Sequence, residues 1–200
     1  MADKKKLNTL KKKPIGIAIA SKDNLEYLKL CLLSLKKHTK GDYSVYIVDD
    51  ASTDGTTSWI IKHKKEYNVK KLITYEKNKG LMVSQNESVA LVDEDIFIIA
   101  HADMYFCNGW DYHFKEHVKP GRFTCLTRIE PPVYQAEECK IQESLGDYPN
   151  EFEEKGFNLL VKFLQYKNKK KLTYGQFAPY GGMKEEFMKH QLDRNIGRQT

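Results

Sequence analysis

No stretch of this 200-residue sequence approaches the roughly 18 to 20 consecutive apolar residues that cross a bilayer, and its polar start has no apolar core of a signal peptide. A cytoplasmic chain with at most peripheral membrane contact is therefore expected. Cysteines at metal or redox spacing are also missing: Cys31, Cys107, Cys125 and Cys139 form no C-x-x-C, and Cys31 and Cys125 sit among apolar residues, as core thiols do. There is no internal repeat, and no linker long enough to divide the chain. Net charge is scarce once it is located. The formal total is +6, but residues 1–13 hold six lysines against Asp3, a tail of +5 that leaves +1 for everything after it. That near-neutral body argues against a broad polyphosphate-binding face, so a nucleic-acid-binding domain would rest on the tail alone. The tail itself reads as a basic, disordered, solvated segment, with docking on anionic lipid as the alternative.

What is present is core-forming material. Hydrophobic residues make up 40% and aromatics 12%, enough to bury a proper core in one domain. From Pro14 onward, short apolar runs alternate with helical patterns, the signature of a parallel sheet covered by helices. Ile15 to Ala20 is the first run, followed by Leu25, Leu28, Leu32 and Leu35 at helical spacing. Residues 43–48 read as a second strand, 56–67 as a helix, 71–75 as a third strand, 81–92 as a helix and 96–100 as a buried fourth strand. After Pro120 the regularity fades. Residues 123–129 suit a strand, 130–157 an irregular excursion rich in Pro, Gly and acids, 157–166 a helix, 167–171 a lysine-rich turn, and 184–190 a last helix.

In open α/β sheets ligands bind beyond the carboxyl ends of the strands, so chemistry is sought in the polar residues that follow each run. The first strand ends in Ala20-Ser21-Lys22-Asp23-Asn24 and the second in Asp49-Asp50-Ala51-Ser52-Thr53-Asp54. The third is followed by Asn78-Lys79-Gly80, with Asn86 on the next helix, and the fourth ends in His101-Ala102-Asp103. Adjacent carboxylates at a buried strand end are costly unless something accepts them, and ribose hydroxyls and a base N–H are suitable partners. Thr53 or Asp54 reads as a helix cap. If the fourth strand continues extended, His101 and Asp103 project to one side and can share a divalent cation, the imidazole favouring Mn²⁺ over Mg²⁺.

Together, Ile17 to Asn24, Val48 to Thr56, Asn78 to Gly80 with Asn86, and Ala100 to Asp103 resemble the ordered motifs of family 2 glycosyltransferases, over residues 14–111. The resemblance implies a Rossmann-like GT-A fold, an α/β architecture with a mostly parallel central sheet flanked by helices and an irregular C-terminal part. It also implies a metal-assisted, inverting transfer of a hexosyl group from a nucleoside-diphosphate sugar to a glycan, lipid-linked or protein acceptor, as in polysaccharide biosynthesis. On that pattern residues 14–104 form the nucleotide-sugar-binding half and 105–200 the acceptor-side half of a single domain. Ala20, Ser21, Asp23, Asp49, Asp50, Asn78, Gly80, Asn86 and Ala102 would hold the donor, and Asp103 would match the last acid of the DxD metal motif, acting through Mn²⁺ or Mg²⁺.

Two departures stand out. His101 replaces the first acid of that motif, and the acidic motif that supplies the base follows, in the family, a segment resembling Gly181 to Met188. The sequence reaches Thr200 before such a motif appears, so a shortened form, or a partner or further domain that supplies the base, is expected. Asp193, Glu185 and Glu186 are the late acids near that place, and each suits a helix surface. On the acceptor side Trp110 reads as a sugar platform or as core, Tyr180 as part of an acceptor wall, and Gly181 as a close approach to ligand or a plain turn. The rival from another class is a non-catalytic nucleotide-sugar-binding module.

Overall fold

The structure is a computed structural model that describes residues 12–119 and the segments 123–126, 128–130, 140–142, 154–155 and 180–184. Four strands, β1 (Ile15–Ser21), β2 (Tyr43–Asp49), β3 (Val69–Thr74) and β4 (Ile96–His101), lie parallel in the order β3-β2-β1-β4. The crossovers are helices α1 (Leu25–His38), α2 (Thr56–His63) and α3 (Leu81–Ala90); α4 (Trp110–His117) follows β4. Beyond β4 the sheet continues with β8 (Tyr180–Met183), antiparallel to β4, and then β5 (Thr124–Cys125). A separate parallel pair joins β6 (Arg128–Glu130) to β7 (Lys140–Gln142). No helix among the described residues is long and apolar enough to cross a membrane.

The sequence of β1, Ile-Gly-Ile-Ala-Ile-Ala-Ser, explains its place. All seven residues are buried, as the centre of a sheet covered on both faces requires. Its isoleucines face one core with Leu28, Cys31, Leu32 and Leu35 of α1 and Trp110 and Phe114 of α4, while Ala18 faces a smaller core with Val89, Val92, Phe97 and Ile99. Side chains alternate across a strand, so the small Gly16-Ala18-Ala20 face lets the α3 side approach closely. At Gly16 an added Cβ would lie 2.2 Å from Val92 Cγ1 and 2.8 Å from Glu94 Oε2.

Several boundaries differ from the sequence reading. Strand β3 starts at Val69, and α2 stops at His63 although the helical spacing persists: Trp59 stacks on His63 at 4.4 Å between ring centroids, and Tyr67 follows 6.4 Å from His63. Turns take over after α2 and lead to Asn68 at a left-handed φ of 54°, which redirects the chain into β3. The single strand expected at 123–129 is two, in two different sheets. Gly181 and Gly182 are strand residues in β8, opposite Ile98 and Phe97 of β4, rather than a turn. Cys125 is exposed where a core thiol was expected, whereas Cys31 and Cys107 are buried. The basic tail up to residue 11, Cys139, the helix expected at 157–166, the lysine-rich turn, and all of the last helix past Lys184 lie outside the described residues.

Gly16→Ala should destabilise the fold by about 1–3 kcal/mol, the usual cost of overpacking. A denaturant midpoint unchanged from the parent chain would contradict the close approach of Val92.

Candidate functional site

The parallel ladder aligns the strand tips. Ser21 is level with Asp49, and Ala20 with His101. The pairing runs one step past the strands, since the Asp50 N–H donates to the Ser21 carbonyl at 2.8 Å and the Tyr75 N–H to the Asp49 carbonyl at 2.9 Å. The loops above these tips are laced to one another. The Asp23 N–H donates to Ser52 Oγ at 2.9 Å, the Thr53 N–H returns a bond to Asp23 Oδ1 at 2.7 Å, and the Leu25 N–H, in the first turn of α1, donates to Asp54 Oδ2 at 2.9 Å. Asp54 Oδ1 also accepts from the Thr56 N–H and hydroxyl at the start of α2, so one carboxylate serves two helix beginnings. A capping role for Asp54 was legible; its reach to α1 was not. Asp23 and Ala51 sit at left-handed φ values of 48° and 61°, a strained conformation for non-glycine residues held by this lacing.

Asp49 and Asp50, both buried, part company. Neighbouring residues of an extended chain point to opposite faces. Asp49 turns toward α2 and accepts from the Ser52 N–H at 3.2 Å and from the Thr57 hydroxyl. Asp50 turns the other way and accepts from the Lys79 and Gly80 N–H groups at 2.7 and 2.9 Å, pinning the loop before α3 over the end of β2. Each acid thus has partners inside the chain, and the repulsion expected of a shared site is relieved by separation. Gly80 has φ +89°, a conformation L side chains rarely adopt, and its N–H also meets Asn78 Oδ1 at 2.8 Å.

A cleft of about 330 Å³ opens between these tips, bounded by Ala20, Ser21, Lys22 and Asn24 after β1, Asp50 after β2, Asn78, Gly80, Leu81 and Ser84 around the start of α3, and His101, Ala102 and Asp103 after β4. Of the residues singled out in the sequence, it gathers Ala20, Ser21, Asp50, Asn78, Gly80, His101, Ala102 and Asp103. Asp23, Asp49 and the exposed Asn86 are not on its lining. Strand β4 ends at His101 and the chain turns, with the Met104 N–H donating to the His101 carbonyl at 3.3 Å, so His101 and Asp103 reach the cleft through a turn and not through continued extension. Trp110 is fully buried, its indole N–H on Thr39 Oγ1 at 3.0 Å and its ring 4.7 Å from Phe106, which is the core alternative and leaves no open sugar platform. Tyr180 and Gly181 lie in β8, level with Ile99 and Ile98, short of the tip of β4.

Comparison with known proteins decides the family. The family described as Glycosyl transferase family 2 matches residues 17–173. The chain belongs to that family. No curated protein matches it. Among solved structures it is similar to S. aureus TarS 1–349 in complex with UDP (TM-score 0.51, 19% identity, 62% of this chain and 38% of that one) and to TarS 1–349 alone (TM-score 0.50, 20% identity, 68% and 40%). It is likewise similar to the mannosyltransferase PcManGT from Pyrobaculum calidifontis in complex with GDP-Man and Mn²⁺ (TM-score 0.51, 16% identity, 66% and 43%). These likenesses establish the GT-A fold. The chain spans about two fifths of the length of those proteins.

Within this family 2 domain, Lys22, Asn24, Leu81 and Ser84 join the cleft without having been chosen from the sequence. Lys22 and Asn24 stood in the first strand-end motif, and Leu81 and Ser84 follow Gly80 at the i, i+3 spacing of one helix face. Asp23 is held down to about 2, first by the Lys22 ammonium and then by the Thr53 N–H, and Lys22 is raised in turn by Asp23. Burial acts to raise Asp54, but hydrogen bonds from Thr56 and Leu25 outweigh it and leave the carboxyl below its ordinary value.

A depressed carboxyl contributes stability that is complete above its unfolded value and lost as pH falls through the folded one. For Asp23 that window runs from its ordinary 3.8 down to about 2. The difference in melting temperature between the parent family 2 chain and an Asp23→Asn, Asp54→Asn double variant should therefore be present at pH 6 and shrink toward pH 2. A pH-independent difference would contradict the lacing.

Proposed function

We propose that this chain transfers a sugar from a nucleoside-diphosphate sugar to a glycan, lipid-linked or protein acceptor, with inversion and with help from a divalent cation. The observation that carries the reading is the single cleft in which four separate strand ends place Ser21, Asp50, Gly80, His101 and Asp103 around one space. Family membership and the GT-A likeness support it, and TarS and PcManGT were solved with UDP and with GDP-Man and Mn²⁺ respectively. Residues 14–104 act as the donor half and 105–200 as the acceptor half of one domain.

Among the described residues no cluster of three or more His, Cys, Asp or Glu could enclose a metal ion, so a cation here would be held on a partial protein set. The residues fit that role. His101 and Asp103 are both exposed on the same turn of the cleft, one imidazole and one carboxylate, a donor pair that would suit Mn²⁺. The chemistry it would supply there is neutralisation of charge on the departing nucleoside diphosphate. The protein's own share is to seat the nucleoside against Ala20, Ser21 and Asp50 and to hold the loop at Asn78 and Gly80 closed over it through Asp50. Asp49 supports this site from the α2 side rather than from the cleft lining. An inverting transfer needs a base within hydrogen-bond reach of the acceptor hydroxyl. Glu185, Glu186 and Asp193 lie outside the described residues, and Asp50 already serves the Lys79 and Gly80 N–H groups.

The slender His101–Asp103 pair also suits a module that binds the donor without turning it over. Calorimetry with enzymatic assay separates the two, because donor binding without transfer or hydrolysis under any acceptor favours the module.

Asp103→Ala, or removal of divalent cation with EDTA, should lower turnover or hydrolysis of the nucleotide sugar about a hundredfold or more, the scale of the several kcal/mol a Lewis-acid cation supplies. Undiminished activity in the variant would remove Asp103 from the mechanism.

A further inference from the structure

Apart from the proposed divalent cation, the protein's own charge inside the cleft opposes its proposed ligand everywhere except at Lys22. A nucleoside diphosphate is an anion, yet the lining carries the carboxylates of Asp50 and Asp103, and Lys22 is the sole lysine or arginine on it among the described residues. Asp50 is satisfied by two backbone N–H groups, so the lysine is not needed there.

The position of Lys22 is built. Its ammonium is hydrogen-bonded to Asp23 Oδ2, and Asp23 is fixed by the Thr53 N–H at 2.7 Å and the Thr53 hydroxyl at 3.2 Å. The lysine side chain nevertheless remains 39% exposed, free to exchange one anionic partner for another. Beside it, Ser21 lines the cleft with its hydroxyl buried, and its carbonyl accepts from the Asp50 N–H, which ties the end of β1 to the residue after β2.

Resting on the donor-cleft reading above, we infer that Lys22 binds the donor's diphosphate directly, with Asp23 as its positioning residue. Its ammonium leaves Asp23 for a phosphate oxygen. The two-residue cation site then carries only part of the diphosphate charge, and the protein retains diphosphate affinity without a metal. Asp23 acts through Lys22, holding the ammonium at the rim until the anion arrives.

The test titrates the full chain with UDP, GDP, ADP, CDP and dTDP by calorimetry, with and without Mn²⁺, and follows the nucleoside of the tightest binder by NMR shift titration. In the absence of Mn²⁺, Lys22→Met should weaken that diphosphate about tenfold, the scale of one charge-assisted hydrogen bond, and leave the nucleoside unaffected. Lys22→Arg should restore most of the loss. Equal diphosphate affinity for the parent and Lys22→Met, or a matching loss for the nucleoside, would overturn the role of Lys22 while leaving the donor cleft standing. If the parent chain binds none of the five diphosphates under either condition, the donor-cleft reading fails and this inference falls with it.

Discussion

The complete burial of β1 is the constraint from which the rest follows. A strand with no solvent-facing residue must be hydrogen-bonded along both edges and covered on both faces, and parallel pairing with β2 and β4 meets the first need. Because the three strands run in the same direction and in register, their carboxyl ends finish together. The polar residues that stop the apolar runs are thereby delivered to one rim, with the β3–α3 loop folded toward it by Asp50. The cleft is a consequence of topology as much as of any single side chain.

The asymmetry of β1 sets how that rim is furnished. Large isoleucines on one face support α1 and α4, while glycine and alanines on the other bring the α3 side close enough for Val92 to lie against Gly16. A close α3 carries its first turn, with Gly80, Leu81 and Ser84, to the cleft wall. The lacing of Asp23, Ser52, Thr53 and Asp54 then fixes the loops after β1 and β2 before any ligand arrives. Such preorganisation lowers the ordering cost of binding.

The four parallel strands and three crossover helices were legible because apolar runs and helical spacing are local and strong between residues 14 and 104. The β8–β5 extension was not, since a strand made of Tyr180-Gly181-Gly182-Met183 owes its existence to the exposed edge of β4 and carries no propensity signal of its own. For the site, ordered motifs named the right strand ends, and eight of the chosen residues meet in one cleft. Strand alternation already separates Asp49 from Asp50, but the sequence could not show what each acid meets, that β4 gives way to a turn at His101, or which of its two readings Trp110 takes. Lys22 stood inside the Ala20 to Asp23 segment of the first motif, but no role of its own could be read for it until its neighbours were known.

The central claim is that the strand-end rim is where a nucleoside diphosphate sits. A crystal structure of the chain soaked with the nucleoside diphosphate it binds and Mn²⁺ tests it most directly. The account predicts ligand density between Ser21, Lys22 and Gly80, with a cation at Asp103. Density at the opposite end of the sheet, in the groove bounded by Lys64, Lys65 and Lys70, with the rim left empty, would contradict it.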